Sequence, residues 1–297
     1  MAHFLRFLVK FLASLSRDTA MALGRRLGVL FGAIVRRQRV QAITELTRCF
    51  PEKSPAEIRA MTRRMFENLG MNQVELFRWI GGRVEEIEAL VTMKGKEHLD
   101  RAFLRGKGVI GLVAHIGNWD LMGLWGAKRF PLTTISKDLK NRGLNDFWME
   151  VRRTSSLGIV PAHNSYRACL GVLKRNECLG FILDQNMIRR EGIFVDFFGK
   201  PACTTPGMAV LAAHAGAPVV PVFMVRLDDG RHEIHVLPAL EPPADRKPES
   251  VAKATQAYTK IIEDFVRHYP EQWIWMHRRW RTKPDLFSAP AAGAEKR

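Results

Sequence analysis

Residues 109–120 read Val109-Ile-Gly-Leu-Val-Ala-His115-Ile-Gly-Asn-Trp-Asp120. The first six are apolar and rich in β-branched side chains, the pattern of a buried strand. The run stops at a histidine, and open α/β sheets place their chemistry at the carboxyl ends of strands. Asp120 follows five positions later. On an unbroken helix two such side chains would point about 140° apart, at 3.6 residues per turn. They meet only if the chain turns after His115, and Gly117 gives the backbone freedom for that turn. An imidazole oriented by a carboxylate suits general-base activation of a hydroxyl or amine, with Asp120 holding the ring tautomer. The competing reading is a core histidine closing a strand, followed by an acid in the first turn of a helix. The spacing alone does not separate the two.

Outward from this stretch the pattern alternates. Trp119–Lys128 reads as a helix and Leu132–Ser136 as a strand. Asn141–Ser155 and Tyr166–Lys174 read as helices, and Leu179–Leu183 as a strand. Pro201 to Val225 carries no Asp, Glu, Lys or Arg. Its length suits a membrane span, but Pro206, Gly207, Gly216, Pro218 and Pro221 interrupt it. It reads instead as a buried helix to Ala215 and a buried strand from Val219. A strand His232–Leu237, a proline-rich loop and a helix over 249–268 complete the series. Ala252, Ala257, Ile261, Ile262 and Phe265 are that helix's expected buried stripe. Strands separated by helices imply an α/β fold with a mostly parallel central sheet flanked by helices.

Residues 1–80 read as a helical extension. Ser54-Pro55-Ala56-Glu57 has the form of a capping box with proline at the first helical position. That helix should run to about Trp79 and end at Gly81-Gly82. We expect residues 81–285 to form the α/β core, in one domain with the extension, and residues 286–297 to form a disordered tail.

The chain carries 46 Lys and Arg against 30 Asp and Glu, a net charge of +16. Such a surface implies a polyanionic partner: nucleic acid, anionic lipid or an acidic carrier protein. The basic residues come as scattered pairs such as Arg25-Arg26 and Arg152-Arg153, with no nucleic-acid motif, so nucleic acid is not expected. Cys49, Cys169, Cys178 and Cys203 form no Cys-x-x-Cys, which argues for a reducing compartment and against a metal site. At the N-terminus, Arg6, Lys10 and Ser14 recur every four residues among Phe4, Leu5, Phe7, Leu8, Phe11, Leu12 and Leu15. That is an amphipathic helix of the kind that lies in a membrane interface. It is a poor signal peptide, because charges interrupt its apolar run. A helix simply packed on the surface is the alternative.

Further segments join the first. Leu179-Gly-Phe-Ile-Leu-Asp184-Gln-Asn ends a strand in an acid and two amides. Gly192-Ile-Phe-Val-Asp-Phe-Phe-Gly-Lys-Pro201 reads as an aromatic loop. Glu271-Gln-Trp-Ile-Trp-Met-His-Arg-Arg-Trp280 holds three tryptophans and two arginines. With Cys49-Phe-Pro-Glu52, these segments resemble, in order and spacing, the late acyltransferases of lipid A biosynthesis. That family lies within the lysophospholipid and glycerophosphate acyltransferase superfamily. The resemblance covers roughly Leu23 to Pro284. One departure is Asp120, where the family usually has Glu.

The resemblance implies a membrane-associated O-acyltransferase at the cytoplasmic face of the bacterial inner membrane, peripheral or monotopic. It would move a fatty acyl chain from acyl carrier protein to a hydroxyl of a lipid or glycolipid. His115 would be the base and Asp120 its partner. Arg153, Asp184, Gln185 and Asn118 would contact substrate, with Arg153 suited to a phosphate. No metal or organic cofactor is expected. Trp273, Trp275 and Trp280 with Arg278, Arg279 and Arg281 would sit at the membrane interface or pack on the core. Two alternatives stand: a lysophospholipid or ornithine-lipid acyltransferase of the same superfamily, and a non-catalytic protein that binds anionic membrane or nucleic acid.

Overall fold

β2 (Val109–Val113) lies inside the sheet because both of its faces are apolar. Ile110 and Leu112 enter one buried cluster, and Val109 enters another. The computed structural model describes residues 2–137, 155–163 and 165–284, together with Gly143, Met149 and Val151. Arg153, most of the expected helix 141–155 and the expected tail lie outside the described residues.

The sheet also contains β1 (Val91–Lys94), β3 (Leu132–Ser136), β4 (Gly158–Pro161), β5 (Cys178–Ile182), β8 (Val219–Arg226) and β9 (His232–Val236). Among the described residues it has seven strands in the order β1-β9-β8-β2-β5-β3-β4. β8, β2, β5, β3 and β4 run parallel. β9 returns antiparallel to β8, and β1 pairs parallel with β9, so these two run the other way. The helices that cover it include α6 (Lys96–Phe103), α7 (Trp119–Ala127), α8 (Tyr166–Lys174), α9 (Gly207–Ala215) and α10 (Pro248–His268). This is the expected α/β architecture. The short strands β1 and β4 carry too few residues to stand out in sequence.

Two segments differ from expectation. The aromatic stretch 192–204 is a hairpin of β6 (Ile193–Phe197) and β7 (Lys200–Thr204), not a loop. Phe198 and Gly199 form its two-residue turn, with φ of 57° and 70°, as a type I′ connection requires. Phe198 tolerates this because its N–H donates to Glu263 Oε2 at 2.6 Å. In α10 the buried stripe is Val251, Thr255, Tyr258, Thr259, Ile262, Glu263 and Val266; of the expected positions Ile262 is in it, Ala252, Ile261 and Phe265 are half-buried at its side, and Ala257 alone is exposed. The threonines are buried at little cost because each hydroxyl donates to the carbonyl four residues back, at 2.8 Å.

The N-terminal helices are α1 (Ala2–Ser14), α2 (Arg17–Ile34), α3 (Arg36–Cys49) and α4 (Pro55–Ile80). Ser54 and Glu57 make the capping box that starts α4. α2 meets α4 backbone to backbone: a Cβ at Gly28 would lie 2.0 Å from the Phe66 carbonyl oxygen. The opposite side of α2 therefore faces solvent, with Leu27, Leu30 and Ile34 exposed, while Phe31 at its border packs edge-on against Phe66 of α4 and is 44% exposed. Ile58, Met65 and Phe66 of α4 share a buried cluster with Ile110, Leu112 and Trp273, so the helices and the sheet have a common core. Trp273, Trp275 and Trp280 are all buried there, which removes them from any membrane interface.

Candidate active site

Pairing between β2 and β5 sets the site. Gly111 lies opposite Gly180, and Val113 lies opposite Ile182. Two residues beyond those strand ends, His115 and Asp184 stand side by side. His115 Nδ1 lies 2.8 Å from Asp184 Oδ1, and the His115 backbone N–H donates to Asp184 Oδ2 at 2.8 Å. The C-terminal segment adds a third donor. Ile116 bridges Trp273, and the Ile274 N–H donates to the His115 carbonyl at 3.2 Å. This brings Trp273 Nε1 within 2.7 Å of Asp184 Oδ2. A buried carboxylate with three such donors stays ionised. Burial would raise the Asp184 pKa, but His115 holds it well below the usual carboxylate range.

The carboxylate accepts a hydrogen bond from Nδ1–H, which keeps the proton on Nδ1 and leaves the Nε2 lone pair for chemistry. Nε2 faces the Gln185 amide nitrogen at 3.3 Å. The rings of Trp119 and His277 flank the imidazole, with centroids 5.2 Å and 4.9 Å away. Burial pushes the His115 pKa down. The charge and hydrogen bond of Asp184 outweigh that, Asp120 adds to them, and the net shift is upward. His277 moves the other way, lowered by burial and by His115 beside it.

Asp184, not Asp120, therefore orients the ring, and this corrects the role expected for each. Gly117 turns the chain with φ of 58°, so close to β8 that a Cβ there would lie 1.8 Å from the Met224 carbonyl oxygen. α7 starts beyond this turn, and Asp120 acts on His115 through its charge. Asn118 also departs from expectation. It is 2% exposed. Its Oδ1 accepts from the Leu121 N–H at 3.2 Å, capping α7, and its Nδ2 donates to Glu75 Oε2 at 2.9 Å. Both ends of its amide serve the protein. Gln185, expected as a substrate contact, sits at the ring through its side-chain amide. Its backbone carbonyl is braced by the buried Arg279, whose Nη1 donates to it at 3.0 Å. Burial pushes the Arg279 pKa down to about 10.

An apolar cavity of about 140 Å³ reaches the site at Trp119 and Asp120, with Asp120 the one charged side chain among its described lining residues and neither His115 nor Asp184 on its wall. Gly111, Val113, Gly180 and Ile182 form its sheet side, and Trp119, Met122, Gly123 and Gly126 its α7 side. Cavities of roughly 150 Å³ accept a benzene-sized apolar guest. Among the described residues, no group of three or more His, Cys, Asp or Glu is placed to hold a metal ion. All four cysteines are buried. Burial pushes the Cys49 and Cys178 thiols up to about 12, which disfavours a thiolate nucleophile.

A family model described as bacterial lipid A biosynthesis acyltransferase matches residues 2–282. The chain belongs to that family. A lipid A biosynthesis palmitoleoyltransferase of Escherichia coli (strain K12) is 30% identical over 268 residues, covering 88% of this chain and 85% of that protein. A lipid A biosynthesis lauroyltransferase of the same strain is 28% identical over 273 residues, covering 89% and 85%. A phosphatidylinositol mannoside acyltransferase of Mycobacterium tuberculosis is 30% identical over 191 residues, covering 63% and 58%. This member of the lipid A acyltransferase family is thus an acyltransferase that acts on lipid substrates. His277 and Trp273 were visible in sequence as parts of the C-terminal segment; their place beside His115 and Asp184 was not.

Proposed function

We propose that the protein transfers a fatty acyl chain from an acyl-carrier-protein thioester to a hydroxyl of a lipid A precursor or similar glycolipid, with His115 as general base. The observation that carries this reading is the His115–Asp184 pair at the sheet's carboxyl edge, next to an apolar cavity. Nε2 takes the proton as the acceptor oxygen attacks the thioester carbonyl. The C–O bond forms, the C–S bond breaks, and the imidazolium returns the proton to the leaving thiolate. Asp184 fixes the ring and stabilises the imidazolium, with Asp120 adding to the field. Arg153 is proposed as a phosphate contact. Gln185 marks the position that the acceptor hydroxyl would take at Nε2.

The cavity would receive a part of the acyl chain, in keeping with its benzene-sized volume. A Cβ at Gly180 meets only ordinary contacts, the three nearest at 3.7 Å, so the backbone there leaves room for a side chain that narrows the cavity. Gly180→Val should shift preference toward shorter acyl donors. Product masses from a mixture of thioesters of graded length check this, and an unchanged product spectrum would remove the cavity from acyl selection.

The charge of +16 suits both an acidic carrier and an anionic membrane. Phe4 and Phe7 of α1 are each 66% exposed, and Ile34 of α2 is 71% exposed. Together with Leu27, Leu30 and Phe31 they form the surface we assign to peripheral docking on the cytoplasmic face of the inner membrane. None of the described helices is long and apolar enough to cross a membrane. Phe7→Glu with Phe31→Glu should lower the fraction that sediments with anionic vesicles by roughly 10-fold or more, as expected when buried apolar area is lost at an interface. Equal sedimentation of this variant and the wild type would disprove the docking face.

Incubation with acyl-carrier and coenzyme A thioesters and a lipid panel, read by product mass, tests the whole reading. Acylated glycolipid formed from the carrier thioester is expected. Transfer to lysophospholipid alone would establish the alternative acceptor, and no transfer to any lipid would end the proposal.

A further inference from the structure

The turn that carries His115 to Asp120 is held from outside. Gly117 has its N–H on the Gln272 carbonyl at 3.0 Å and its carbonyl on Asn72 Nδ2 at 2.7 Å. The next residue, Asn118, donates to Glu75. Asn72 and Glu75 are three residues apart on α4 and so share one face of it. Arg226, at the end of β8, ties them together. Its guanidinium reaches Glu75 Oε1 and Oε2, both at 2.6 Å, and Asn72 Oδ1 at 2.8 Å. His232 Nε2 adds a contact to Glu75 Oε1 at 3.0 Å. Gln272 in turn clamps the Arg226 backbone, accepting from its N–H and donating to its carbonyl, each at 2.8 Å.

Glu75, Asn72, Asn118, His232 and Gln272 are all buried, and the side chain of Arg226 is 8% exposed. Burial would push the Glu75 carboxyl up, but the Arg226 guanidinium and the His232 contact hold it well below the usual range. A buried ion pair of this kind adds little stability over apolar packing of the same volume. What it does supply is geometry, because each partner is fixed by several directed bonds. Here those bonds converge on two consecutive residues of the turn, Gly117 and Asn118, directly after the Ile116 that follows His115.

We infer that Glu75, Arg226 and Asn72 are positioning residues for acyl transfer: a polar brace from the N-terminal helix α4 that sets the His115–Asp120 turn. The inference rests on the reading of His115 as the base. It also gives the N-terminal helices a role in catalysis, since the helix that seats α2 also holds the catalytic turn.

The test compares three full-length variants: Glu75→Gln, Glu75→Gln with Arg226→Gln, and Asn72→Leu. Each is measured for kcat, for KM with the acyl donor and for Tm. The single Glu75 variant leaves a buried cation unpaired and should lose Tm. The double variant removes both charges and should recover most of that Tm. A brace that sets geometry still fails in the double variant and in Asn72→Leu. Their kcat should fall roughly 10- to 100-fold, the range for a reacting group displaced by about 1 Å, with KM within about threefold. A folded double variant or Asn72→Leu with kcat within about threefold of wild type would overturn the inference and leave the pair purely structural. Should the double variant not fold, Asn72→Leu decides alone, because it removes no charge. His115→Ala runs alongside. If it retains transfer, the reading of the base fails; if it loses transfer while Asn72→Leu does not, only the brace fails.

Discussion

Replacement of His115 by alanine should reduce kcat for acyl transfer by at least about 10³-fold, within the range that a positioned general base supplies. The fold should survive. His115 stands beyond the end of β2, its side chain is 12% exposed, and its backbone bonds to Asp184 and Ile274 do not need the ring. KM for the acyl donor should change little, because the proposed chain site is formed by Gly111, Gly180 and α7 and not by the imidazole. Vesicle binding should be unaffected. A non-catalytic membrane-binding protein would show no transfer to lose. Steady-state rates with carrier thioester, alongside a Tm measurement, check the prediction. Transfer within 10-fold of wild type would remove His115 from the chemistry.

Asp184→Asn is the second large effect. Asparagine keeps the size of the side chain but loses the charge, and its NH₂ group cannot accept a hydrogen bond. Asp184 accepts from His115 Nδ1, the His115 backbone and the Trp273 indole. Asparagine can serve some of these donors only by turning its NH₂ toward another, and facing Nδ1 with a donor favours the wrong ring tautomer. An acid-to-amide change behind a catalytic histidine costs about 10⁴ in kcat when it fixes that tautomer, so a loss of roughly 10²- to 10⁴-fold is expected here. Stability should fall as well, since three donors in a buried site lose their anion. The measurement is kcat with KM, at a temperature where the variant is folded. A variant with near-normal kcat would return the orienting role to Asp120.

Much of this was open to reading from the chain. The alternation of apolar runs and helical stretches gave the mostly parallel sheet, and the capping box at Ser54 marked the start of α4. The partner of His115 was also within reach. Gly111-x₃-His115 and Gly180-x₃-Asp184 have the same spacing, and in the structure the two glycines are in register. Nothing local says that two strands about 70 residues apart are neighbours, so the acid five positions away drew the assignment instead. The turn at Gly117 could be anticipated, but not its direction, which is set by contact with Met224. Trp273 and Trp275 suited an interfacial place or a packed one, because tryptophans and arginines share that segment. Pairing of 273 with Ile116 buries them. The stripe of α10 was displaced because its inner face uses Thr255, Thr259 and Glu263, polar residues whose partners lie on the helix itself or on the β6–β7 hairpin. The exposed side of α2 followed from where its glycines pack, a property of two helices and not of one.

The pH dependence of kcat/KM for acyl transfer tests most directly whether a carboxylate-paired His115 is the base. Only the neutral imidazole accepts a proton, so activity should rise with pH as one group loses its proton. The midpoint should lie above the ordinary histidine value of 6.5, because Asp184 and Asp120 favour the charged ring. In Asp184→Asn the midpoint should move to lower pH, since the neighbouring anion is gone. A wild-type profile flat from pH 5 to 9 (about 1.5 units below to 2.5 above an unperturbed histidine), or an acid limb that stays in place without Asp184, would contradict the mechanism.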